Sequence, residues 1–427
     1  MNIWYFHHYA TPANIAGLHR PYEFGKYFLE QGNSLTVFSS SYLHYADENM
    51  IENKKELYVE KNYDGINAVF VRTCGYMNSG LKRIKNMAQF YFRVLKTAKK
   101  YLKTHDKPDV IIASSPHPFV MMAGLKLAKQ LKIPCISEVR DFWPEVFFTG
   151  GKLKERGLIG RILLAGEKGI YKKSDGIVFL KEGDHTYIDE HKWRIEDGGP
   201  IDKAKCYYVN NGVDIEKFDL RKKSNVLVDE DLDGEGFKVV YCGAIRPVNN
   251  VGLLLDAAKF VDQDVKILIY GNGNCVDELK ERIKNENLSC VKMKGFVENK
   301  YVPYILGKSN VNILNYSAEK YNWSRGNSSN KMFEYLASEK PVISTVKMGY
   351  DILEKYSCGL STEKCDGESI AKSINEIKNM PQEKYDEACK NARKAAMEYD
   401  MPVLANKYLD VINEVKNNYK KKEKRND

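Results

Sequence analysis

Asn2-Ile3-Trp4-Tyr5-Phe6, a helical stretch over 20–31 closed by Gly32, and Ser34-Leu35-Thr36-Val37-Phe38-Ser39 open the chain with strand, helix and strand. The same alternation continues through Val110-Ile111-Ile112-Ala113, a helix over 119–130, Cys135-Ile136-Ser137-Glu138-Val139 and a strand over 176–180. Strands that alternate with helices build a parallel sheet covered on both faces. The pattern restarts with Lys238-Val239-Val240-Tyr241, a helix over 251–260 and a strand over 265–270. Further strand positions follow at 292–296, 311–314 and 341–344, with 331–338 helical between the last two. The expected fold is α/β, with two doubly wound, Rossmann-like domains facing a cleft.

Length agrees, since 427 residues suit two domains of roughly 200 residues better than one core. The polar, Asp-rich stretch 224–236 marks the change. The domains are placed at 1–220 and 221–399, with a helix over about 400–420 packing back on the first. A 43% hydrophobic and 29% charged composition describes a buried core with a wet exterior. No apolar run approaches the ~20 residues of a membrane span, and no basic leader precedes the first strand, so a cytoplasmic protein is expected. Nine scattered cysteines without a C-x-x-C pair favour reduced thiols and argue against structural zinc. The lysine-rich end, 420–425, reads as frayed and solvated.

A formal charge of +9 admits nucleic acid, an anionic membrane surface or a phosphorylated small molecule as partner. Nucleic acid has no helix-turn-helix, RNP-like or zinc motif to support it. In doubly wound sheets, ligands bind at the carboxyl ends of strands, so the loops there hold the candidates. The loop 7–17 ends at Gly17, which allows backbone N–H groups to approach an anion, although an ordinary turn explains it as well. Ser114-Ser115-Pro116-His117-Pro118 and Glu138-Val139-Arg140-Asp141 follow buried strands. His117 reads equally as a self-satisfied loop histidine or a functional one, and Asp141 as an ion-pair partner of Arg140 or a substrate contact. In the second half, Gly243 with Arg246, and Gly271 with Gly273, pair close-approach glycines with a cation suited to phosphate.

The stretch 326–343 is the most informative. Gly326, Asn327, Ser328 and Ser329 lead into a helix that begins near Asn330 and Lys331, whose first-turn N–H groups can face a diphosphate. Glu334 lies one turn further on, where a carboxylate can accept hydrogen bonds from ribose hydroxyls. A solvated helix face would also account for it.

These motifs in this order, together with Arg20-Pro21-Tyr22-Glu23-Phe24, Asn211-Gly212-Val213-Asp214, Phe218 and Gly295-Phe296-Val297, resemble glycosyltransferase family four. These are retaining enzymes of the GT-B fold, and the resemblance is to the subset that builds bacterial capsule, O-antigen and exopolysaccharide. It implies transfer of a hexosyl or N-acetylhexosaminyl group from a nucleotide sugar, UDP first among them, to a lipid-linked or saccharide acceptor, with no metal or other cofactor. It assigns Asp141, His117, Arg246 and Lys331 to catalysis. To donor binding it assigns Gly17, Gly243, Gly271, Gly273, Asn327, Ser329, Asn330 and Glu334, with the amides of residues 329–331 on the diphosphate. The family's two glutamates have seven residues between them; Glu334 matches the second, but the first falls on Gly326. Asn249 and Asn250 stand where the family commonly has a lysine, a loss that Lys331 can offset. A GT-B epimerase or phosphorylase shares these features and is the alternative enzyme reading. The helix expected over 81–103 carries a broad apolar surface and many lysines, which fits either a core helix or one lying on anionic lipid.

Overall fold

The computed structural model describes residues 1–53, 55–77, 79–319 and 321–426, and the chain divides into two compact units. The first holds Met1–Leu180, Asp184–Val209 and the chain from Leu404 onward; the second holds Lys181–Gly183 and Asn210–Val403.

The strands of the first unit's main sheet are β1 (Asn2–His7), β2 (Ser34–Ser40), β3 (Tyr58–Tyr63), β4 (Ile66–Val71), β5 (Val110–Ser114), β6 (Cys135–Val139), β7 (Gly176–Phe179) and β8 (Cys206–Tyr208). Among the described residues their order is β8-β7-β6-β5-β1-β2-β4-β3, and only the edge pair β3/β4 is antiparallel. The second sheet uses β9 (Phe237–Cys242), β10 (Val265–Tyr270), β11 (Val291–Gly295), β12 (Val311–Leu314), β13 (Val342–Ser344) and β14 (Gly359–Ser361). They run in the order β11-β10-β9-β12-β13-β14, all parallel. That is the 3-2-1-4-5-6 pattern of a dinucleotide-binding fold. In each sheet the first strand is flanked by strands reached in opposite directions, which opens a crevice at its carboxyl end. The crevice lies beside β1 and β5 in the first unit and beside β9 and β12 in the second.

Five helices matter below: α1 (Arg20–Glu30), α2 (Gly80–Tyr101), α3 (Pro118–Leu131), α4 (Asn330–Ala337) and α5 (Met401–Asn426). The unit break at Val209/Asn210 falls earlier than residue 220. The reason is that the helix Ile215–Ser224 is tied into the second unit: Arg393 bonds Asp219 at 3.1 Å, and the Val213 amide donates to Tyr399 O at 3.1 Å. At the other end α5 continues through 420–425, so the lysine-rich segment is helical with exposed side chains, not frayed.

Both cores follow from β-branched and aromatic residues on strands covered on both faces. Trp4, Phe6 and Phe38 on strands pack with Phe90 and Val94 of α2 in the first unit, and Val239, Tyr241, Ile267, Ile269 and Ile313 pack in the second. Inside the first core lies a carboxylate. Glu138, fully buried on β6, accepts from Tyr5 Oη and Ser114 Oγ at 2.6 Å each, from Arg20 Nε at 2.9 Å and from Tyr408 Oη at 3.0 Å. Burial pushes its pKa up, but the charges of Arg20 and Arg140 and the bonds from Ser114 and Tyr5 outweigh burial and hold it down to about 2. Read from the sequence as part of a substrate-facing loop, Glu138 instead joins β1, β5, β6, α1 and α5. Breaking a buried pair strands its partner's charge. Glu138→Gln should therefore lower stability to urea by about 3–5 kcal/mol, whereas Tyr408→Phe, which deletes one hydroxyl, should cost about 1 kcal/mol.

Candidate active site

At the carboxyl end of β1 the backbone carries His7, His8 and Tyr9; at that of β5 it carries Ser114, Ser115 and His117. His117 is the N-cap of α3, with its ring fully buried and its Nε2 3.0 Å from His8 Nδ1. His8 Nε2 lies 2.7 Å from Asn86 Oδ1 on α2. The Asn86 amide nitrogen donates to Thr73 Oγ1 at 3.1 Å and to the Cys74 carbonyl, an acceptor only, which fixes the amide's orientation. His8 must then donate through Nε2 and accept through Nδ1, so His117 donates through Nε2. Burial drives His8 down to about 3 and His117 well below the ordinary histidine value, so both rings are neutral near pH 7. His8 and Asn86 escaped the sequence reading because nothing local joins residues 78 positions apart.

Asp141, two residues beyond β6, is exposed, and among the described residues its carboxylate has no hydrogen-bond partner. Its loop is tied to the β5 loop by the Arg140 amide, which donates to Ser115 Oγ at 2.9 Å. Gly17 has a packing cause, since a Cβ there would lie 2.0 Å from Thr11 Oγ1.

In the second unit Lys331, the second residue of α4, extends past Gly243 at the end of β9. A Cβ on Gly243 would meet the lysine Cδ at 2.8 Å. The ammonium reaches Tyr241 Oη at 3.2 Å and sits over the Tyr241 and Tyr316 rings at 4.8 and 5.6 Å. Asn249 directs its amide nitrogen to the Ala244 carbonyl at 2.8 Å, and so turns its oxygen to Lys331 Nζ at 3.2 Å. The residue standing where the family has a lysine therefore positions Lys331. Among the described residues no carboxylate pairs with this cation. Burial lowers its pKa to about 8 against the opposing pull of Cys242 and Glu334. The Arg246 side chain, just past Ile245, is exposed and among the described residues unpartnered. Gly271 and Gly273 serve the fold directly: Cβ atoms there would lie 1.8 Å from Gly243 O and 2.0 Å from Ile245 O, so they let the β9 and β10 loops touch.

The loop before α4 is braced from both sides. Asn210 and Asn211 donate to the carbonyls of Asn327 (3.1 Å) and Ser328 (2.6 Å), and Tyr316 Oη meets Ser329 Oγ at 2.5 Å. The Ser329 amide, expected to face a diphosphate, donates instead to Asn327 Oδ1 at 2.8 Å. First-turn geometry leaves the amides of Asn330 and Lys331 without intrahelical acceptors. Glu334 follows one turn later, half-buried on α4. Among the described residues no group of three or more His, Cys, Asp or Glu side chains is placed to hold a metal.

Residues 21–217 match the model of glycosyltransferase family 4, and residues 223–395 that of the group 1 glycosyl transferases. The chain belongs to the GT-B glycosyltransferases. Its fold is shared with solved structures of low identity. HepE from Anabaena, solved in complex with UDP, is 14% identical with a TM-score of 0.67, over 97% of this chain and 99% of that one. Sucrose-phosphate synthase from Thermosynechococcus elongatus is 15% identical with a TM-score of 0.69, over 97% and 98%. WaaG, a glycosyltransferase involved in lipopolysaccharide biosynthesis, is 13% identical with a TM-score of 0.64, over 96% and 99%. No curated protein matches this sequence significantly.

The glutamate missing from this glycosyltransferase has a backbone correlate. Gly326 has φ +98°, where a side chain is strained although a Cβ would find its nearest neighbour 3.4 Å away. Gly326→Glu should therefore cost about 1–2 kcal/mol of stability from the backbone alone. Urea unfolding of the variant would measure that loss; an unchanged midpoint would show that the loop adapts freely.

Proposed function

We propose that this glycosyltransferase transfers a hexosyl or N-acetylhexosaminyl group from a UDP-sugar to a saccharide or lipid-linked acceptor, with retention of configuration. The observation that carries the reading is the Lys331 ammonium, held by Tyr241 and Asn249 without a carboxylate, next to the first-turn amides of Asn330 and Lys331. A diphosphate leaving group needs fixed positive charge and oriented N–H groups as the glycosidic bond breaks. Lys331 and these amides supply both, and the exposed Arg246 can grip a phosphate bidentately. Glu334 would accept from the ribose hydroxyls. The leaving phosphate oxygen would take the acceptor's proton on the face it departs from, so that attack on the same face retains configuration. Asp141 orients a hydroxyl in this reading, while His117 holds the β5 loop in shape. No metal or other cofactor is invoked, because the protein's own cations carry the phosphate charge.

Support for the donor comes from HepE, solved with UDP and with UDP-glucose. The setting we read for it is bacterial capsule, O-antigen or exopolysaccharide synthesis, and the fold is shared with WaaG, a glycosyltransferase involved in lipopolysaccharide biosynthesis. A cytoplasmic enzyme resting on the inner membrane face fits α2. Its Met87, Phe90 and Val94 pack into the core while Leu81 and Phe92 stand 82% and 68% exposed among lysines. No helix among the described residues is long and apolar enough to cross a membrane.

Thermal unfolding against a panel of nucleotide sugars tests the donor. A UDP-sugar at a hundred times its Kd should add about 2.7 kcal/mol of stability, and Glu334→Ala should abolish that gain; no shift with any donor would remove the reading. Since an anion favours charged Lys331, UDP affinity should be full below about pH 8 and weaken as pH rises beyond it. Titration calorimetry should find that dependence gone in Lys331→Met. Replacing Lys82, Lys85 and Lys96 together by Gln should reduce co-sedimentation with phosphatidylglycerol liposomes several-fold; unchanged binding would remove the membrane contact.

A further inference from the structure

The chain leaves β12 at Asn315, whose side chain is fully buried in the second unit. Its amide nitrogen lies 2.6 Å from the Asn249 carbonyl oxygen and 2.5 Å from that of Asn250. Carbonyls only accept, so the NH2 group must face them, and it uses both of its protons there. The Asn315 side-chain oxygen is then buried, and among the described residues no donor meets it. Packing alone does not call for this arrangement, since a buried acceptor left without a partner destabilises the fold.

What the amide grips is a single tight turn, Pro247–Asn249, closed by the Asn249 amide on the Arg246 carbonyl at 2.9 Å. Asn250 follows with φ +45°, in the left-handed region. The Ser317 amide donates to the Val248 carbonyl at 3.0 Å, so the carbonyls of residues 248, 249 and 250 are all held from the segment that follows β12.

Asn249 is the residue whose side-chain oxygen meets the Lys331 ammonium at 3.2 Å. A side chain with two rotatable bonds points where its backbone is held, so the grip on the 249 and 250 carbonyls sets that contact. A neutral amide oxygen orients an ammonium without cancelling its charge, which leaves the charge for an anion. We infer that Asn315 is a positioning residue for the donor diphosphate, holding the 248–250 turn so that Asn249 keeps the Lys331 ammonium extended past Gly243. The inference rests on the transferase reading and adds to it a residue that touches no substrate.

Calorimetric titration of the full-length protein with UDP and with uridine separates the diphosphate from the rest of the nucleotide. Asn315→Ala should weaken UDP binding about tenfold and leave uridine binding unchanged, and Asn249→Ala should do the same. In a Lys331→Met background Asn315→Ala should have no further effect on UDP, because the two residues act as one unit. Asn315→Ser, which can still donate to one carbonyl, should fall between, and it carries the same comparison where the alanine variant does not fold. Equal losses for UDP and uridine would reduce Asn315 to a structural tie and overturn the inference, as would an undiminished loss on top of Lys331→Met. The Lys331 ammonium, followed by 15N NMR without ligand, gives a second readout. Its midpoint should lie near pH 8 in the unaltered protein and rise in Asn315→Ala as water reaches the released group, while Tyr241, Tyr316, Cys242 and Glu334, which face it, are retained. UDP that binds the unaltered protein no tighter than uridine would remove the donor reading; the NMR midpoint would still decide the positioning role, and an unmoved midpoint would overturn it.

Discussion

A carboxylate without water around it must be surrounded by donors, and Glu138 dictates much of the first unit because it is so surrounded. Tyr5, Ser114, Arg20 and Tyr408 come from four different elements and converge on its two oxygens. Arg20 in turn donates to the Val209 carbonyl at 2.8 Å, at the last residue before the chain enters the second unit. Hydrophobic packing alone tolerates sliding, whereas these bonds require each partner at a set distance. The ends of β1, β5 and β6, from which the His8, His117 and Asp141 loops depart, are thereby held in register.

The two units solve the same geometrical problem with different chemistry. Each places its loops where the winding of the sheet reverses. In the first unit that position holds neutral, buried imidazoles. In the second it holds a half-buried lysine, a glycine that makes room for it and an asparagine that aims it.

The alternation of strands and helices was legible because fully buried parallel strands read as short apolar runs, as in Val110-Ile111-Ile112-Ala113. The strand Tyr58–Tyr63 was not, because an edge strand with an exposed face, Tyr-Val-Glu-Lys-Asn-Tyr, has no such run. The stretch 326–343 was recognisable in composition, and the structure brings Gly243, Lys331 and Asn249 together. What escaped was every interaction between distant segments: Asn210 and Asn211 clasping the 327–328 carbonyls, Tyr316 on Ser329, and His8 on His117. The Ser329 amide shows the same limit at short range, since a side-chain oxygen two residues earlier satisfies it and local sequence does not say which acceptor wins.

The return of the C-terminal helix has a consequence for how the protein is made. Tyr408 completes the shell around Glu138, yet it is synthesised after the entire second unit. While the nascent chain lengthens on the ribosome, the first unit has its sheet but lacks the helix that covers Phe24 and Phe28, whose rings lie 5.3 and 6.0 Å from that of Tyr408. The second unit, contiguous apart from three residues, can mature first, and the earlier-born half waits for the helical segment from Leu404 onward to close over it.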